Sequence, residues 1–114
     1  MSFKNAYEGI IWVVKTEQNY RIHISLSIIA LILAYYLKIS YPEFLIILIL
    51  IFLGLAVEMV NTSIEEATDA IDTKWRQDLK IAKDVAAGAM LVFATGALLI
   101  SGIIFIPKLL VLLQ

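Results

Sequence analysis

Val85-Ala-Ala-Gly-Ala-Met-Leu-Val-Phe-Ala-Thr-Gly-Ala-Leu-Leu-Ile-Ser-Gly-Ile-Ile-Phe-Ile106 is a run of 22 residues without a charge. Pro107-Lys108 closes the run, and at about 1.5 Å of rise per residue it exceeds the roughly 30 Å hydrocarbon core of a bilayer, so it predicts a tilted spanning helix. Upstream, Phe44 to Val57 is also uncharged and reaches spanning length once Tyr41-Pro42 and Met59-Val60 are added. A third run, Ile24 to Leu37, is shorter and carries Ser25 and Ser27, with Arg21 and Lys38 placed to snorkel at its two ends. Lys38-Ile39-Ser40-Tyr41-Pro42 joins the first two runs tightly enough to require an antiparallel hairpin. The fold class is therefore all-α: an integral membrane protein of one domain over residues 1–114, with three transmembrane helices at about 21–39, 42–66 and 83–106.

Composition supports this reading. The 114 residues are 61% hydrophobic with a mean hydropathy of +0.91, whereas a soluble domain is about 45–50% apolar. So small a chain cannot hide the excess in its own core. Nine Lys and Arg against ten Asp and Glu leave no basic excess for a nucleic-acid partner. The absence of cysteine excludes disulfides and thiolate chemistry, and a single histidine, His23, excludes a multi-histidine metal site. Met1-Ser2-Phe3-Lys4-Asn5 lacks the features of a signal peptide, and the chain is expected to be unprocessed.

Lys4, Lys15, Arg21, Lys74, Arg76, Lys80 and Lys83 fall on one side of the three spans, and only Lys38 and Lys108 on the other. This asymmetry predicts a cytoplasmic N-terminus and a cytoplasmic second loop. Residues 2–18 predict an amphipathic interfacial helix, with Phe3, Tyr7, Ile10 and Val14 on one stripe and Lys4, Glu8 and Lys15 away from it. The alternative is that Ile10 to Val14 begins a longer first span.

The chemistry concentrates in Glu58-Met59-Val60-Asn61-Thr62-Ser63-Ile64-Glu65-Glu66-Ala67-Thr68-Asp69-Ala70-Ile71-Asp72. Glu58, Asn61, Glu65, Asp69 and Asp72 fall within a helical arc of about 80°. Four carboxylates on one stripe repel one another unless a cation or proton compensates. A solvated helix face accounts for Asp69 and Asp72. It does not account for Glu58, which follows fourteen apolar residues. Glu58 lies roughly 25 Å along a helix from Tyr41, near the cytoplasmic interface, where a lipid headgroup and a water-soluble co-substrate both reach it. A proton-relay acid of a small oligomeric transporter, the rival reading, belongs nearer the midplane. Carboxylate oxygens without a His or Cys cluster suit Mg²⁺, with Glu17 a further candidate ligand on the same membrane side. Lys83-Asp84 opens the last span from that side, and its lysine either neutralises phosphate oxygens or is the flanking positive charge of a helix end. No Walker or Rossmann glycine loop is present, so a nucleotide must be held in another way.

At these residues the sequence resembles the prokaryotic diacylglycerol kinase family, which includes undecaprenol kinases. Glu58-Met-Val-Asn61-Thr-Ser-Ile-Glu65-Glu-Ala-Thr-Asp69 is similar to its E-x-[LIVM]-N-[ST]-[SA]-[LIV]-E-x-x-x-D signature. Lys80-Ile-Ala-Lys83-Asp84-Val-Ala-Ala-Gly88-Ala is similar to its second block, and Glu17-Gln-Asn19-Tyr20-Arg21-Ile22-His23 to the stretch before the first span. The resemblance implies a homotrimer in the bacterial cytoplasmic membrane that uses MgATP to phosphorylate a lipid hydroxyl, with sites completed between subunits. It implies Glu58 as general base, Glu17 and Glu65 as Mg²⁺ ligands, and Asn61, Lys83 and Asp84, with Glu17 and Glu65, around the nucleotide. Lys74-Trp75-Arg76 departs from the Gly/Ser-containing loop of the best-known members. The Arg21-Ile22-His23 tripeptide and the short chain resemble the undecaprenol branch; diacylglycerol is the alternative acceptor.

Overall fold

Ser40 starts the central helix by a capping box. Its Oγ accepts from the Glu43 N–H (3.3 Å), and the Glu43 carboxylate accepts from the Ser40 N–H (2.9 Å). Pro42 in the first turn adds a fixed φ where no donor is needed. In the computed structural model, which describes residues 2–114, four helices follow in order: α1 (Phe3–Thr16), α2 (Gln18–Tyr36), α3 (Tyr41–Ile71) and α4 (Gln77–Leu112). Ser40→Ala is expected to lower stability by about 1 kcal/mol, read as an earlier midpoint in detergent unfolding.

Glu17 alone separates α1 from α2. Its extended backbone (φ −104°, ψ 109°) ends one helix and begins the next. Arg21 braces this elbow by donating from Nη1 to the carbonyls of Val14 (2.8 Å) and Lys15 (3.0 Å), two groups that lack partners at a helix end. The predicted surface helix is thus a separate element, and Ile10 to Val14 does not begin a longer span. Its large side chains Phe3 and Tyr7 are exposed, while Val13 is buried beneath the elbow.

The α2–α3 hairpin turns at Lys38, the one non-glycine residue with positive φ among those described (53°). α3 and α4 share the largest contact, α2 lies along α3, and α1 touches α2. The molecule measures 56 × 33 × 21 Å, and the long dimension is that of α4, whose 36 residues reach about 54 Å. Its radius of gyration is 17.2 Å, against about 13 Å for a compact domain of this length. An elongated bundle of this kind leaves apolar faces open. Phe52 and Leu98 are 69% and 75% exposed, and few hydrophobic residues besides Ile47 are fully enclosed. Lipid or neighbouring helices must cover the rest.

Among the described residues, α3 and α4 are long and apolar enough to cross a bilayer, and α2 falls short of that mark. The reason is the polar opening Gln18-Asn19-Tyr20-Arg21, which leaves the apolar part of a helix about 28 Å long too brief on its own. Two helices extend beyond the expected spans: α3 continues past 66 to Ile71, and α4 starts at Gln77. The last helix runs through Pro107 to Leu112; the proline removes one ladder donor and the residues beyond it keep theirs.

Candidate functional site

α3 carries the site because its apolar register delivers one acid to the inside of the bundle. Glu58 stands one turn after Gly54 on the buried face and is only 5% exposed, with Thr62 at 3% one turn further on. A carboxylate is rarely enclosed so fully without a partner or a task. Asn61, half-buried beside it, donates from Nδ2 to the Glu65 carboxylate (3.3 Å). Its Oδ1 is buried and accepts no hydrogen bond. A buried amide oxygen left free is the kind of group that a cation or a ligand donor completes.

Two further residues reach this end of α3 from the elbow. The titratable neighbours of Glu58 are His23 of α2, Glu65 of the same helix and Glu17 between α1 and α2. The structure therefore brings together Glu17, Glu58, Asn61 and Glu65, four of the residues singled out in the sequence. Among the described residues, no three His, Asp or Glu side chains form a complete metal cage. Mg²⁺ does not require one, since it is usually held by one or two carboxylates plus substrate phosphates.

The remaining candidates are arranged differently. Lys83 forms an ion pair with Asp69, about one turn beyond Glu65, and so ties α4 to α3. Asp84 pairs with Lys80 on its own helix (2.6 Å) and makes no such link to α3. Asp72, the last member of the acidic stripe, ends α3 and accepts from the Lys74 N–H (2.9 Å). The four carboxylates of the stripe are thus divided: Glu58 is buried, Glu65 accepts from Asn61, Asp69 pairs with lysine and Asp72 ends the helix.

His23 is a further residue of this region. The inward face of α2 runs through Tyr20, His23, Ser27, Ala30 and Ala34, at intervals of three or four. That spacing alone places the imidazole in the bundle. It heads an apolar groove of about 420 Å³ between α2, α3 and α4, whose walls include Ala30, Ile47, Ile51 and Ala97.

The profile of the family described as prokaryotic diacylglycerol kinase matches residues 4–105. The chain belongs to that family. Among its relatives, undecaprenol kinase of Bacillus subtilis is 39% identical over 108 residues, covering 95% of this chain and 88% of that protein. Diacylglycerol kinase of Synechocystis is 30% identical over 114 residues, covering 99% of this chain and 65% of that protein. A diacylglycerol kinase of Helicobacter pylori is 34% identical over 76 residues, or 67% of this chain and 59% of that protein. As a member of the prokaryotic diacylglycerol kinase family, the chain is an ATP-dependent lipid kinase of the membrane.

Proposed function

We propose that this chain transfers the γ-phosphoryl group of ATP to undecaprenol, giving undecaprenyl phosphate and ADP, with Glu58 as the general base. The observation that carries the reading is the enclosed Glu58 carboxylate, one helical turn beyond Gly54 and the His23 end of the apolar groove and near the unpartnered Asn61 amide oxygen. The similarity to the Bacillus subtilis undecaprenol kinase over nearly the whole chain supports undecaprenol over diacylglycerol.

In this reading the lipid hydroxyl donates a hydrogen bond to Glu58 and its oxygen attacks the γ-phosphorus. The bond to the β–γ bridging oxygen breaks, ADP leaves, and the hydroxyl proton ends on Glu58. A glutamate, with an ordinary pKa near ~4.3, is too weak to ionise an alcohol outright, so the proton moves late, as phosphorus–oxygen bonding develops. Glu17 and Glu65 are the residues that would hold Mg²⁺, and their hard oxygens and the free Asn61 Oδ1 fit that ion. When bound, the ion neutralises charge on the transferring phosphoryl group. Lys83 is positioned to meet nucleotide phosphates by giving up Asp69. An ion pair as exposed as this one contributes about 0–1 kcal/mol, so a phosphate displaces it readily. Asp84 reaches a nucleotide only by leaving Lys80 or across a subunit boundary.

The same reading takes α2, α3 and α4 as three spans of a trimer in the bacterial cytoplasmic membrane, with the N-terminus cytoplasmic. Its support is the lysine and arginine asymmetry and the open apolar faces. At Gly88 and Gly96 an added Cβ would meet nothing within 4 Å. Together with Ala86, Ala87, Ala89, Ala94 and Ala97, these positions let a neighbouring helix approach closely. Light scattering in detergent should report a trimer; an active monomer overturns that part. Labelling by γ-³²P-ATP of undecaprenol and of dioleoylglycerol in mixed micelles tests the acceptor. Faster labelling of undecaprenol is expected, and preferential labelling of dioleoylglycerol overturns the assignment.

A further inference from the structure

His23 occupies a position that the catalytic reading above does not explain. Its imidazole is held by packing: the ring lies 6.5 Å from that of Phe93 at an interplanar angle of 37°. Across from it, α3 presents Gly54. A Cβ at that residue would fall 3.6 Å from the His23 ring, and 2.6 Å from Phe93 Cζ. Gly54 thus leaves room for both rings between the helices. Ser27 Oγ donates to the His23 backbone carbonyl (2.8 Å), while the ring nitrogens carry no hydrogen bond among the described residues. A polar ring set firmly among apolar neighbours, with its nitrogens free, is arranged for a ligand.

Its level in the bundle indicates which ligand. His23 lies against Gly54, one turn (roughly 6 Å) toward the membrane interior from Glu58. From His23 the groove continues past Ile51 to Ile47, away from the charged end of α3. An amphiphile lying in it would place its apolar tail against Ile47 and Ala97 and its polar head between His23 and Glu58. The groove walls near this head supply few other polar groups, because the Ser27 hydroxyl is already committed to the backbone.

We propose that His23 is an acceptor-positioning residue, whose imidazole N–H donates a hydrogen bond to the hydroxyl oxygen of the lipid alcohol and holds it against Glu58. The inference rests on the lipid-kinase reading and adds to it the group that orients the nucleophile. The hydroxyl then donates to Glu58 and accepts from His23, which leaves one lone pair directed at the phosphorus. A neutral imidazole has one such donor to offer. Orientation of this kind contributes to rate without any proton changing hands at His23. A head with a single hydroxyl suits the site better than one carrying ester carbonyls, which would lie unpaired among apolar walls.

The test compares His23→Phe, which keeps a packed ring and removes the donor, with His23→Asn, which keeps a donor. Both are assayed as purified full chain in mixed micelles on whichever lipid alcohol the wild type phosphorylates. The acceptor's identity and the role of His23 therefore fail separately. His23→Phe is expected to lower kcat/KM for the lipid at least tenfold, with the KM for MgATP within twofold of wild type. His23→Asn is expected to recover most of that loss. Gly54→Ala pushes on Phe93 and moves the imidazole without removing it, so it should raise the lipid KM alone, and pairing it with Phe93→Leu should reverse the effect. The proposal is overturned if His23→Phe and Gly54→Ala both leave lipid kcat/KM within twofold of wild type. It is equally overturned if His23→Asn is no better than His23→Phe while both keep the wild-type elution volume and helical circular dichroism, for then the residue only fills space.

Discussion

Glu58→Gln is expected to reduce lipid phosphorylation at saturating MgATP by about 10²–10⁴-fold, the usual contribution of a positioned general base, while nucleotide affinity stays near that of wild type. Glutamine preserves the volume of the side chain, so packing around this nearly enclosed position survives. What it cannot do is accept the hydroxyl proton. Glu58 has a competing role as a purely electrostatic neighbour of Glu17, His23 and Glu65. In that role it shapes how the site binds a cation, and its neutralisation would change nucleotide affinity more than turnover. Saturated turnover and MgATP affinity must therefore be measured on the same preparation. A collapse of affinity with turnover within tenfold of wild type rules out Glu58 as the base.

How far the sequence discloses this arrangement depends on the range of the interactions. Glu58 is legible because its signal is local: one acid after fourteen uncharged residues must be explained wherever the helix lies. The grouping of Asn61 and Glu65 with it is legible for the same reason, since helical periodicity places them on the same side of α3. The Asp69–Lys83 pair is not legible, because its partners sit on two helices joined by a loop whose path no periodicity specifies. The role of His23 is illegible for a related reason: a lone histidine forms no motif of its own, and periodicity places it on the inward face of α2 without naming its neighbours. Side chains whose roles depend on packing across helices, as with His23, Gly54 and Phe93, become visible only once the helices are assembled.

Glu65→Gln and Glu17→Gln are expected to raise the Mg²⁺ concentration needed for half-maximal activity by tenfold or more, with the fold and the helical content kept. Each substitution is nearly isosteric and removes a charge that a hard cation needs. The two should not behave alike. Glu65 holds the Asn61 amide (3.3 Å) in a contact that glutamine can replace only in part, so Glu65→Gln also disturbs the neighbouring Asn61. Glu17 has no side-chain capping bond at the elbow, so Glu17→Gln removes a charge and little else. High Mg²⁺ should therefore restore Glu17→Gln more completely than Glu65→Gln. Titrating activity against Mg²⁺ at fixed ATP separates these cases. If both variants keep the wild-type Mg²⁺ dependence, neither carboxylate is a ligand, and the ion must be held by the nucleotide and other groups.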